Sequence, residues 1–260
     1  MTSDVPTGNT PPSFFTQENG ERIAYHYTPG RSPGVIFLHG LMSDMDGGKA
    51  LAVEEFCKKR GNAFLRFDCQ GHGQSDGLFK DGTIERWSND TVDMLENIVE
   101  GPQILIGSSM GGWNMLLSAM KRPDQIAGLI GIAAAPDFTE DLMMEDLTHE
   151  QHHTINEQGY VELPSDYGDD PYVISKALLD NGRENLVLRR RIPLEIPVRL
   201  IHGMEDPDVP WQTALRISQM MESKDVEIQF VKNGDHRLSE DHDLARLTRT
   251  LEALLNQIES

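Results

Sequence analysis

Short apolar runs rich in β-branched and aromatic residues alternate along the chain with longer stretches whose apolar positions recur at three- and four-residue spacing. This is the rhythm of strands joined by crossover helices. Six runs read as buried strands: Val35–Leu38, Ala63–Asp68, Gln103–Ile106, Gly128–Ala133, Val198–His202 and Val226–Val231. Ahead of them, Ser13–Gln17 and Arg22–Tyr27 flank Asn19-Gly20, a residue pair suited to a tight hairpin turn. Helices are expected over Lys49–Lys59, Ile84–Val99, Met110–Met120, Trp211–Met221 and Glu240–Ile258, each laying an apolar stripe on the sheet. The fold class that follows is α/β, with a mostly parallel eight-stranded sheet flanked by helices.

One interval breaks the rhythm. About sixty residues separate the strand ending near Ala135 from the one starting at Val198, far more than a crossover requires. Residues 137–193 are therefore expected to form an inserted cap, with helical pieces over Thr139–Gln158 and Pro171–Arg191 and a loop at Pro164–Asp170. The core would then comprise residues 13–136 and 194–260, preceded by a loose tail over residues 1–12.

Composition narrows the function classes. A net charge of −19 over 260 residues repels nucleic-acid phosphates and anionic membrane surfaces, so no nucleic-acid partner is expected. No run approaches the ~20 apolar residues of a membrane span. Two cysteines, Cys57 and Cys69, are too few for a disulfide framework and read as buried thiols. The first twelve residues carry neither a basic start nor an apolar run, which leads to the expectation of a cytoplasmic protein.

The chemistry gathers at strand ends. Gly107-Ser108-Ser109-Met110-Gly111 lies between an apolar strand and a helix, the context of a nucleophile elbow, in which a strained turn lifts one serine over the sheet. Only Ser109 has glycine two residues away on both sides. A serine hydroxyl needs an adjacent base, and His236, just beyond the last strand, is at the matching sheet edge. The carboxylate that holds the imidazole is best read as Asp206, with Glu205, Asp208 and Asp137 as alternatives. The backbone N–H groups of Met110 and Leu41 are expected to bind the oxyanion, Met42 being the competitor for the second place. Gly47-Gly48-Lys49 is not a phosphate loop, because position 43 is serine and alanine follows the lysine. His149, His152 and His153 read as a solvated helix face, and neither a metal nor a cofactor is expected.

Together with His39-Gly40, the segment Asp68-Cys69-Gln70-Gly71-His72-Gly73-Gln74-Ser75, His202-Gly203 and Gly234-Asp235-His236, these motifs resemble the α/β-hydrolase superfamily over residues 13–260. More narrowly, Ala50–Cys57, Gly101–Trp113 and His202–Trp211 resemble the mitochondrial acyl-protein (palmitoyl-protein) thioesterase and acyl-glucuronide esterase subfamily. The resemblance implies an α/β-hydrolase fold with an inserted helical cap. It also implies hydrolysis of small-molecule esters or thioesters, or of S-acylated protein, through an acyl-enzyme, in a bacterial-type relative without a targeting segment. Ser109, Asp206 and His236 fall at the family's triad positions. In the cap, Leu142, Met143, Met144 and Leu147 have the spacing to line an acyl pocket, with Met42 beside them. The cluster Lys176, Arg183, Arg189, Arg190 and Arg191 offers an anion site led by Arg183, or else a solvated basic face. A carbon–carbon bond hydrolase and a non-catalytic ligand-binding member of the fold are the competing readings. Aminopeptidase activity is disfavoured for want of an acidic amine-binding motif.

Overall fold

Alternate residues of each central strand face opposite sides of the sheet, so apolar residues at successive positions require helices on both faces. A computed structural model describes residues 11–164 and 171–260. Most of the expected tail and of the Pro164–Asp170 loop lie outside the described residues. The main sheet has eight strands: β1 (Ser13–Thr16), β2 (Arg22–Thr28), β3 (Arg31–Leu38), β4 (Asn62–Phe67), β5 (Gln103–Ser108), β6 (Ile126–Ile132), β9 (Val198–Gly203) and β10 (Val226–Val231). Their order is β1-β2-β4-β3-β5-β6-β9-β10. The β1–β2 and β2–β4 pairs are antiparallel and all other pairs parallel.

Val35, Phe37, Ile104 and Ile106 face helices α1 (Gly48–Arg60) and α8 (Asp241–Glu259) through Val53, Cys57, Leu251 and Leu254. Ile36, Leu38 and Leu105 face the other layer, made of α2 (Ile84–Asn97), α3 (Met110–Lys121) and α7 (Gln212–Met220), with Trp87, Trp113 and Ile217 at its centre. Both cysteines are free and buried in these layers.

Between β6 and β9 the chain departs from the expected helical pieces. A π-helical turn over Thr139–Met143 runs into the short α4 (Met144–Asp146) and stops. Thr148 then starts α5 (His149–Gln158) with a capping box: its hydroxyl accepts from the Gln151 N–H, and the Gln151 side chain accepts from the Thr148 N–H. The expected helix over Pro171–Arg191 begins instead as a strand. Tyr172-Val173-Ile174 is a β-forming run, and β8 (Tyr172–Ser175) pairs antiparallel with β7 (Tyr160–Leu163). Only Lys176–Glu184, capped by Ser175, is helical (α6).

The two ends of this insertion are tied together by one side chain. Asp137, fully buried, accepts from the Val187 N–H at 2.7 Å, the Leu188 N–H at 2.9 Å and Arg189 at 3.1 Å. A carboxylate committed to three donors is a structural tie, which removes Asp137 from the alternatives for the triad acid.

Beneath the site a second buried acid, Asp90 of α2, accepts from the Gln70 N–H at 2.8 Å and the Gln17 amide at 3.0 Å. Burial outweighs these bonds and pushes its carboxyl up to about 7. Unfolded, the same carboxyl releases its proton near 4. Between those values the folded chain binds more protons than the unfolded one, so stability falls as pH rises from about 4 to about 7. Asp90→Asn, which keeps an acceptor for Gln70, is expected to remove this slope and to stabilise the fold at pH 8 by roughly 2–4 kcal/mol, read from urea midpoints across pH.

Candidate active site

Ser109 occupies the single residue between β5 and α3, with φ +53° and ψ −118°. Non-glycine residues adopt such a conformation only where the surroundings impose it. The flanking contacts do so. A Cβ on Gly107 would lie 2.3 Å from the Gly111 carbonyl oxygen, and one on Gly111 would lie 2.2 Å from that of Leu38. Gly112, the next residue of the elbow, has the same constraint: its Cβ would lie 2.4 Å from that of Ala134. The Ser109 N–H donates to Ile132, and its carbonyl accepts from Gly112 and Ala135, so the strained residue is held on both sides. Ser108 ends β5.

His236 reaches this serine from the loop after β10. Its Nε2 is 3.0 Å from Ser109 Oγ and its Nδ1 is 2.8 Å from Asp206 Oδ2. Because a carboxylate accepts only, Nδ1 carries the proton and Nε2 is left to accept from the serine hydroxyl. Asp206 Oδ1 accepts from the Asp208 N–H at 2.9 Å and the Val209 N–H at 2.8 Å. Burial would raise the Asp206 pKa, but the hydrogen bonds from His202 and His236 and the attraction of His236 outweigh it and hold the carboxyl well below the usual range. The three residues expected to act together therefore meet, and Asp208 stands beside them as an exposed neighbour. Asp206, Asp208 and His236 are also the described residues whose ligand atoms cluster within 4.8 Å, but both Asp206 oxygens already accept N–H groups.

The loop after β3 faces the same serine. The Met42 N–H points to His72 Nε2 at 3.3 Å, whereas the Leu41 N–H has no acceptor among the described residues. Met110, the first residue of α3, has no acceptor for its N–H within its own helix. Leu41 and Met110 thus keep backbone N–H groups without an acceptor among the described residues. His72 is buried, and burial together with the charge of neighbouring His39 pushes it down to about 3, so the ring stays neutral and can accept. Asp68 fixes the rest of the loop by accepting from Met45 at 2.7 Å and Gln74 at 2.8 Å. The Gly71-His72-Gly73 signature was visible in the sequence, but its contact with residue 42 is long-range and was not.

A cavity of about 780 Å³ opens over Ser109. The wall contributed by the segment between β6 and β9 is mainly apolar, through Phe138, Leu142, Met143, Leu147, Leu163 and Ile174, with Asp146 and Gln151 among them. The rest of the lining carries the polar residues Ser43, Asp44, Lys49, Asp208, Arg237 and Ser239. Of the expected lining residues, Met42, Leu142, Met143 and Leu147 take part. Met144 does not: both methionines pack against the insertion's own cluster around Ile155 and Leu179, and Met143 alone also lines the cavity. Arg183 also lies off the cavity, paired with Glu140 at 3.0 Å. Arg189 pairs with Asp137 and Asp141, and Lys176 with Asp180. Arg183 and Arg189 are therefore each held by acids rather than gathered at the cavity. The cations on the cavity wall are Lys49 and Arg237, which sequence reasoning missed. Lys49 donates to the Arg237 carbonyl, and burial pushes its amine down to about 8.

The family model for serine aminopeptidase S33, a hydrolase family, matches residues 32–243. The chain is an α/β-hydrolase. It is 40% identical over 247 residues to mouse palmitoyl-protein thioesterase ABHD10, a mitochondrial protein, covering 95% of this chain and 83% of the relative, and 38% identical to the bovine counterpart, covering 95% and 80%. The structure of the mouse protein superposes with a TM-score of 0.88 at 40% identity, over 96% of this chain and all of that one. A protein from Agrobacterium vitis S4 superposes with a TM-score of 0.89 at 36% identity, over 94% and 99%. This α/β-hydrolase acts on ester or thioester bonds. The cytoplasmic expectation is overturned, because these mammalian relatives are mitochondrial. That expectation rested on what the first twelve residues lack, which is no positive sign of compartment.

The elbow contacts make a direct demand on stability. Gly111→Ala sets a Cβ against the Leu38 carbonyl and is expected to cost about 3 kcal/mol, while Gly48→Ala, where a Cβ meets nothing within 4 Å, is expected to be near neutral in the same urea titration.

Proposed function

We propose that this hydrolase cleaves long-chain acyl thioesters or esters by a double displacement at Ser109. The observation that carries the reading is the Ser109–His236–Asp206 chain, with contacts of 3.0 and 2.8 Å, at the floor of a cavity with one apolar wall. His236 Nε2 takes the hydroxyl proton as Ser109 Oγ attacks the acyl carbon, and the leaving thiol or alcohol then takes that proton. Water, deprotonated by the same nitrogen, releases the acid and restores the serine. Asp206 stays ionised throughout and stabilises the imidazolium. The amides of Leu41 and Met110 receive the developing oxyanion, where one such donor contributes about 3–4 kcal/mol of transition-state stabilisation. The insertion over residues 137–193 serves as the cap and seats the acyl chain, while the leaving group faces the polar wall. Relatives named palmitoyl-protein thioesterase support the long acyl chain.

Ser109→Ala is expected to lose about 10⁶-fold in turnover with an unchanged melting temperature, because the elbow backbone is set by the glycines. Asp206→Asn is expected to lose on the order of 10⁴-fold by imposing the wrong histidine tautomer, whereas Asp137→Asn keeps most activity wherever it remains folded. Steady-state hydrolysis of an acyl thioester and circular dichroism on each variant measure both. Residual Ser109→Ala activity above one per cent would refute the reading.

The two adjacent methionines separate substrate selection from packing. Met143→Ala is expected to shift the preference across a series of acyl-chain lengths, while Met144→Ala lowers the melting temperature and leaves that preference in place. Rates over a chain-length series, paired with thermal melts, check this.

A further inference from the structure

A second histidine touches the acid of the triad. His202 is the fifth residue of β9, is fully buried, and lies between the strand and the turn it feeds. Its Nε2 is 3.0 Å from the Val209 carbonyl oxygen and 3.3 Å from Asp206 Oδ2. Both of these atoms only accept, so Nε2 must carry the proton and His202 is the donor to both. The Val209 N–H returns to Asp206 Oδ1 at 2.8 Å. A ring results in which His202 holds Val209, Val209 holds one carboxylate oxygen, and His202 holds the other.

We propose that His202 is a positioning residue of the reaction: through Asp206 it orients the carboxylate toward His236 Nδ1 and sets how strongly that carboxylate draws on the imidazole. The proposal rests on the triad reading above. Asp206 Oδ2 serves two imidazoles at once, at 2.8 Å from His236 and 3.3 Å from His202. Sharing the oxygen has two consequences. The carboxylate cannot rotate about its Cβ–Cγ bond without losing a donor on each oxygen. Its negative charge is also partly spent on His202, which lowers the attraction that keeps a proton on His236. Accordingly, His202 contributes to holding the Asp206 carboxyl below its usual range, against the effect of burial. The other titratable groups at the carboxylate are His236, from the loop after β10, and Asp208, from its own turn; both are retained in the variants below.

His202→Phe keeps a planar ring and removes the donor, and His202→Gln restores an N–H at similar reach. With a neutral thioester substrate, the acid limb of the kcat/KM profile reports His236 in the free enzyme. In His202→Phe this limb is expected to move to higher pH by about half a unit or more, because the carboxylate then serves His236 alone, and kcat is expected to fall further than KM rises. In His202→Gln the limb returns toward that of the wild type. An unmoved limb in a folded His202→Phe enzyme, with only a lower melting temperature, would overturn the proposal and leave His202 as an anchor of the turn; the triad reading would stand. A wild-type profile with no acid limb overturns both. Should His202→Phe not fold, nitrogen NMR of the wild-type histidines decides: the proposal requires the neutral Nε2–H tautomer at His202, and the Nδ1–H tautomer overturns it.

Discussion

Everything at the catalytic edge depends on how closely one turn approaches its neighbours. The backbone of Gly111 passes so near the Leu38 carbonyl that no Cβ fits, and Gly107 meets Gly111 in the same way. The strain at Ser109 is tolerated because the β3, β5 and β6 ends are already fixed by parallel pairing, which leaves the turn no relaxed alternative. The position of the loop after β3 is a consequence of the same closeness, since the residues after Leu38 are brought over the start of α3 by the strand that Gly111 touches.

The core was legible from the sequence because its central strands are buried on both faces and α2, α7 and α8 carry apolar stripes, whereas β10, expected as a buried strand, is a half-exposed edge. The Gln103–Ile106 run, for example, has no polar residue after Gln103, and the structure extends it only by Gly107 and Ser108. The chain order of Ser109, Asp206 and His236, which the structure brings together, was legible for a similar reason, as each residue follows a strong strand at a recognisable turn. The insertion was not. Its strands β7 and β8 have four residues each, too short for alternation to show, and they are stabilised by each other rather than by the main sheet. Long-range polar contacts were equally hidden: nothing at positions 42 and 72 announces a hydrogen bond across thirty residues of sequence.

Charge followed the same division. The net −19 describes the chain as a whole, but the groups that matter are arranged locally. Arginines that looked like an anion site are neutralised by Glu140, Asp137 and Asp141, while Lys49, one of the basic residues on the cavity wall, lies in a segment first read as no more than a helix start. Solvent-exposed charge patterns report surface balance, and burial decides which of them reach a site.

The bond set of Asp137 has an evolutionary consequence. Because one carboxylate joins residue 137 to residues 187 and 188, the two ends of the segment meet, and the elements beyond form a closed loop that also rests on α2 and Trp113. Changes of length or composition that keep these contacts leave the ends of the loop where they are. Descendants of such a protein can exchange the whole loop as a cassette and acquire new substrates while inheriting the same chemistry.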